Sequence, residues 1–155
     1  MAEKFKISFE VLHSHQIVDH DVHDISELGP HLTENAETSR AGLTIAAMNH
    51  RILVARLFSE EPNRRSRIIG MVMLLTIDSA FTGRSAHIAD LVVDPKFRGR
   101  HWGEGLSKIL MLEAKELHAK RAWLRCNKKR KAAHKLYKKM GLTRLDDVFV
   151  FGGDL

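Results

Sequence analysis

Phe5, Ile7, Phe9 and Val11 alternate with polar residues, the period of two that predicts a first strand. The following "HSHQIVDHDVHD" is polar and irregular. Across "DISELGPHLTENAE" short helical signals are interrupted by Gly29 and Pro30. Ser39 stands where it would cap a helix running through Met48. "RILVARLF" predicts a strand, "SEEPNRRSR" a turn and "IIGMVMLLTI" a long apolar strand, together a hairpin. "SAFTGRS" turns the chain into an extended "AHIADLVV". After a glycine-rich stretch, Leu106, Ile109, Leu110, Ala114 and Leu117 recur at helical spacing. "RAWLRC" predicts a short strand. Ala132, Ala133, Leu136, Tyr137 and Met140 then share one helical face, and Gly141 is placed to end that helix. "TRLDDVFVFGG" predicts one or two closing strands. This order predicts a mixed α/β domain around a central sheet.

The 155 residues suit one domain, 1–155, and an apolar fraction of 44% with 28% charged is that of a soluble globular chain. No apolar run approaches the ~18 residues of a membrane span, and the alternating "MAEKFKISFE" is no signal peptide. Cys126 stands alone, so no disulfide forms within the chain and a cytoplasmic setting is expected. Its expected place is a buried thiol at the end of a strand, not a nucleophile. His13, His15, His20 and His23 lack the cysteines or the His-Glu-x-x-His frame of a metal site, so no metal is expected. Charge is distributed unevenly. Residues 118–145 hold eleven Lys or Arg and no acid, whereas residues 1–39 hold eight acids and two bases.

The stretch "RGRHWGEG", residues 98–105, sits between a predicted strand and a predicted helix. The first N–H groups of a helix have no internal partners and attract anions. Gly99, Gly103 and Gly105 would let backbone approach a ligand closely, and Arg98 and Arg100 would add charge-assisted bonds. This combination points to a phosphate, most simply a pyrophosphate. No Gly-Lys-Ser/Thr follows a four-residue gap, so it is not a Walker A loop, and the third glycine of the dinucleotide fingerprint is missing.

What remains is Arg100-x-x-Gly103-x-Gly105 directly after "LVVDP". Here the chain resembles the GNAT superfamily of acetyl-CoA-dependent N-acetyltransferases. "AHIADLVVDPKFRGRHWGEGLSKILM" is similar to that family's central strand, loop and helix, and "AAHKLYKKMGL" to its Ala-x-x-Leu-Tyr segment. The resemblance covers the whole chain and is densest from 86 to 142. It implies a GNAT fold: a mixed, mostly antiparallel sheet of about six to seven strands, flanking helices and a splayed strand pair that binds CoA. It also implies acetyl transfer from acetyl-CoA to a primary amine by direct attack in a ternary complex.

Roles follow residue by residue from that resemblance. Leu91, Val92 and Val93 would pair with the pantetheine arm as with an added strand. Arg98, Gly99, Arg100, His101, Trp102, Gly103, Glu104 and Gly105 would form the pyrophosphate loop, with Glu104 also a helix-start acid. Tyr137 matches the tyrosine that faces the CoA sulfur and protonates the thiolate. Two positions depart from the pattern. Ala89 stands where many members carry a glutamate base, which leaves Asp90 as the chosen base. His87 is a second candidate, and a structural carboxylate is the competing reading of Asp90. Arg130 stands where many members carry an asparagine, so it is assigned to the ligand's phosphates, beside Ala133.

The acceptor is expected to be a small-molecule or protein amine, with Glu27 and Glu34 (and Glu37 nearby) favouring a cationic one. The basic run "KRAWLRCNKKRKAAHKLYKK" could instead serve RNA or the ribosome, but it shows no stacking platform. Nucleic acid and membrane are therefore not the expected partners. A homodimer is left open by the family's habits. A catalytically silent acyl-CoA sensor is the other alternative, motivated by Ala89 and opposed by Tyr137.

Overall fold

A computed structural model of the chain describes residues 5–33, 36–59 and 64–146. They fall into two compact units, Met1–Arg125 and Cys126–Leu155.

The first unit is built on a five-stranded sheet in the order β1-β2-β3-β4-β5: β1 is Phe5–Val11, β2 Arg51–Ser59, β3 Arg67–Ser79, β4 Gly83–Val93 and β5 Arg121–Trp123. The first four run antiparallel to their neighbours, and β5 joins β4 in parallel. The mixed, mostly antiparallel character is as expected. Five strands rather than six or seven are present among the described residues. Residues 143–146 are not strand, and the rest of the predicted closing strands lies outside the described residues.

Register explains the core. Ile52 lies opposite Met73 and Val54 opposite Met71, and these side chains share a face with Val92. Helix α1, Asp19–Leu28, supplies Ile25 and Leu28 to that face, and α2, Arg40–Asn49, supplies Leu43. Helix α3, Trp102–Glu116, packs against β1 through β4, with Leu106 and Leu110 fully buried. Ser39 does cap α2: its Oγ accepts from the Gly42 amide at 3.0 Å.

Helix α1 corrects the reading of "HSHQIVDHDVHD" as irregular. Val22, Ile25 and Leu28 have helical spacing, but Asp21 and Asp24 lie among them and mask the pattern. Both aspartates are buried at 2% exposure because they point at arginines. Asp21 accepts from Arg56, which also bonds Glu10. Asp24 accepts a two-pronged bond from Arg65 and the amide of Ile68. Burial works against charge on Arg56, but these carboxylates outweigh it and raise its pKa. The acidic N-terminal quarter is therefore partly internal. Glu10, Asp19, Asp21 and Asp24, half of its eight acids, are taken up in ion pairs.

In the second unit, α4 spans Lys131–Lys139 and ends at Gly141, whose φ of +81° suits only glycine well. Ala133, Leu136, Tyr137 and Met140 are half-buried on one face, while Ala132 is exposed.

Candidate active site

The site grows out of the middle of β4. Met73 pairs with Ala89 and Met71 with Val92, so the β4 side carries one residue more than β3 across that interval. The extra residue is accommodated at Asp90, whose φ of +52° is left-handed. Aspartate tolerates that conformation better than most residues. The bulge sits at the position chosen as the base and brings Asp90 close enough to His87 for each to influence the other's proton affinity. Protein crowding raises the pKa of Asp90, and His87 partly offsets this, even though Asp90 retains an exposed surface. Burial and then Arg125 lower the pKa of His87, against the pull of Asp90. His87 shares a face with Ala89, opposite Leu75 and Met73 respectively.

β4 and β5 pair over only three rows, ending at His87 opposite Trp123. The two rings stack there, centroids 4.0 Å apart and planes within 5°. Among the described residues, no strand pairs with that edge of β4 beyond His87, so the strands part as a splayed pair would. Among the described residues, Leu91–Val93 have no strand partner on the side away from β3. The stack was not anticipated, since nothing in the sequence spacing pairs residue 87 with 123 before the sheet order is known.

The strand runs directly into the glycine-rich loop. Asp94 closes the turn by accepting from the Lys96 amide at 2.9 Å, and its other oxygen accepts from Arg67 at 3.1 Å. Arg98 turns back and donates from Nε to the Val93 carbonyl at 2.9 Å, so part of its guanidinium braces the loop. Gly99 takes φ +77° and His101 φ +63° at the α3 N-cap, and Trp102, Gly103 and Glu104 form the first turn of α3. Glu104 also meets His101 at 3.2 Å.

Gly105 also has a packing reason. A Cβ there would lie 2.3 Å from Phe9 Cζ, so this glycine lets α3 approach β1. The Trp102 indole N–H is buried beside Phe9 and, among the described residues, meets no acceptor.

In the second unit, burial raises the pKa of Tyr137 to about 12, helped by Cys126. Cys126 is half-buried and three residues beyond β5, not a buried thiol at a strand end. Arg130 is the N-cap position of α4. Glu27 is exposed on α1, and Glu37 is exposed ahead of α2, while Glu34 lies outside the described residues. Among the described residues, no three His, Cys, Asp or Glu side chains are grouped to hold a metal, and no helix is long and apolar enough to cross a membrane.

A family model described as "Acetyltransferase (GNAT) family" matches residues 20–142. The chain belongs to the GNAT acetyltransferase family. A Trypanosoma brucei brucei protein named glucosamine 6-phosphate N-acetyltransferase is 40% identical over 96 residues, covering 59% of this chain and 60% of that relative. The chain thus spans about three fifths of that relative's length. A crystal structure of an acetyltransferase from Trypanosoma brucei matches with a TM-score of 0.72 and 25% identity over 95% of this chain and 99% of that one. Glucosamine-6-phosphate N-acetyltransferase from Arabidopsis thaliana shares the fold, with a TM-score of 0.72 at 22% identity, covering 98% of this chain and all of that one. The GNAT fold is thereby shown, splayed strand pair included.

Proposed function

We propose that this GNAT chain transfers an acetyl group from acetyl-CoA directly to a primary amine while both are bound. The observation that carries the reading is the course of β4: its partner strand is lost beyond His87, and the strand then leads through a 3-10 turn at Pro95–Phe97 and the glycine-rich loop to the start of α3. The residues present fit the donor. Leu91–Val93 lie along that edge for an extended arm to pair with, the Val93 carbonyl being already shared with Arg98. The first-turn amides of α3, with Arg100 beside them, suit a pyrophosphate. Arg98, Gly99 and His101 shape that loop, and Arg130 and Ala133 are assigned to the same ligand. Acetyl-CoA supplies the activated acetyl group.

Asp90 accepts the proton the amine must lose, directly or through water. Its raised pKa makes it a stronger base than an ordinary aspartate. A backbone N–H near Val92 meets the charge that develops on the carbonyl oxygen. Tyr137 gives its proton to the departing thiolate, and a phenol with a pKa of about 12 arrives with that proton in place. Residues 1–155 act as one GNAT domain, a reading supported by the family match running through the boundary between the two units.

The Trypanosoma relative's name makes glucosamine 6-phosphate the first acceptor to try, with Glu27 and Glu34 on the acceptor side. The test is thiol release from acetyl-CoA with glucosamine 6-phosphate, glucosamine, a polyamine and an N-terminal peptide. We expect turnover of at least one, lowered about 100-fold by Tyr137→Phe. Acetyl-CoA binding without any turnover, unchanged by Tyr137→Phe, would leave the chain a silent acyl-CoA sensor.

A further inference from the structure

A cleft of about 400 Å³ opens between the start of β1, the end of β2, the start of β3 and the loop before α3. Its walls include Phe5 and Phe97 and four arginines, Arg64, Arg65, Arg67 and Arg100, of which the last three carry the argument. None of the strands' open edge nor the first-turn amides of α3 belongs to it.

Two of the arginines are held from behind. Asp24 is buried and takes both terminal nitrogens of Arg65, at 2.9 and 2.8 Å. Asp94 is buried and takes Nη2 of Arg67 at 3.1 Å. Each carboxylate is itself fixed by a backbone amide, Asp24 by that of Ile68 and Asp94 by that of Lys96. Among the described residues, Nε of Arg65 and both Nε and Nη1 of Arg67 make no hydrogen bond. Arg100 has no ion-pair or hydrogen-bond partner there either, so its charge is not offset by a contact. A guanidinium oriented by a buried carboxylate loses little further freedom when it binds, and its remaining N–H edge matches a phosphate oxygen. Two such groups, with the unpaired charge of Arg100, suit a dianionic phosphate, and the two phenylalanines suit an organic group attached to it.

We propose that this cleft binds a phosphomonoester, its phosphate held by Arg65, Arg67 and Arg100 and its organic part against Phe5 and Phe97. The cleft does not include the helix-start amides assigned to the pyrophosphate, although Arg100 borders both, and the proposal stands whether or not the acetyl-transfer reading does. Two sources share the chemistry: a phosphorylated metabolite, and the 3′-phosphate that CoA carries.

The experiment is calorimetric titration of the full chain with inorganic phosphate at low salt. Saturable binding is expected, weakened about tenfold by Arg100→Gln and by Arg67→Lys, a change of roughly 1.4 kcal/mol. Arg67→Lys keeps a cation beside Asp94, and a thermal melt of each variant checks that it is folded. Lys115→Gln, in the last turn of α3, is expected to leave the affinity unchanged. The titration is repeated with saturating acetyl-CoA and with its 3′-dephospho form. Phosphate that still binds beside both comes from a separate metabolite site. Phosphate blocked by acetyl-CoA alone marks the cleft as the seat of the 3′-phosphate. Absence of saturable binding, equal weakening by all three substitutions, or blocking by both CoA forms alike would overturn the proposal.

Discussion

The ring of Phe9 occupies the space a side chain at Gly105 would need: a Cβ there would come within 2.3 Å of Cζ and within 2.9 Å of both Cε atoms. This contact ties the first turn of α3 to the edge strand β1. It gives the second glycine of Arg100-x-x-Gly103-x-Gly105 a packing role. Gly105→Ala should therefore cost about 1–3 kcal/mol by overpacking. Urea denaturation measures it, and Phe9→Leu in the same chain should recover part of the loss. An unchanged midpoint for Gly105→Ala would show that α3 and β1 are not packed this closely.

Arg56 should matter more to stability than its place on a strand suggests. It is 9% exposed and joins Asp21, which is 2% exposed, to Glu10. Arg56→Met leaves Asp21 without its counter-charge in the core. A loss of about 3–5 kcal/mol is expected from unpairing a buried ion. A loss below about 1 kcal/mol in the same denaturation assay would contradict the assignment.

The pH dependence of turnover should carry the mark of Asp90. The group must be ionised to accept a proton, and burial raises its pKa above the usual aspartate value. Turnover should therefore fall as pH drops through a point above the ordinary aspartate range. Tyr137 keeps its proton up to about pH 12, so it should impose no alkaline fall within the range the protein tolerates. Asp90→Asn should remove the acid limb along with most of the rate. A limb that persists in Asp90→Asn but disappears in His87→Gln would transfer the base to His87.

Trp123 offers a more local check. Its indole covers the His87 ring at 4.0 Å, at the last paired row of β4 and β5. Trp123→Ala exposes His87 to water and removes part of the burial that lowers its pKa. The His87 titration followed by NMR should then move upward. No upward movement would mean that the stack does not shield the ring.

Much of the fold was legible because period and punctuation agree. The alternation from Phe5 to Val11, the hairpin around residues 59–67, Ser39 before α2 and Gly141 after α4 all appear where local chemistry puts them. Helix α1 was not legible, because Asp21 and Asp24 look solvent-facing until Arg56 and Arg65 are folded against them. The loop at 98–105 was readable from its glycines and arginines, but the separate duties of those residues were not. Arg98 bracing Val93 and Phe9 filling the space beside Gly105 are long-range facts. The arginines of "NRRSR" read as a turn, and only the sheet brings Arg65 and Arg67 together with Arg100.

The most direct test of the central claim is calorimetric titration of the purified chain with acetyl-CoA, beside the same titration of Gly103→Val. Gly103 lies in the first turn of α3, the turn whose amides are proposed to receive the pyrophosphate and where a β-branched side chain would hinder close approach. Saturable binding to the native sequence is expected, and its loss in a Gly103→Val protein that remains folded. No binding of acetyl-CoA at low salt, or binding that Gly103→Val leaves intact, would contradict the claim.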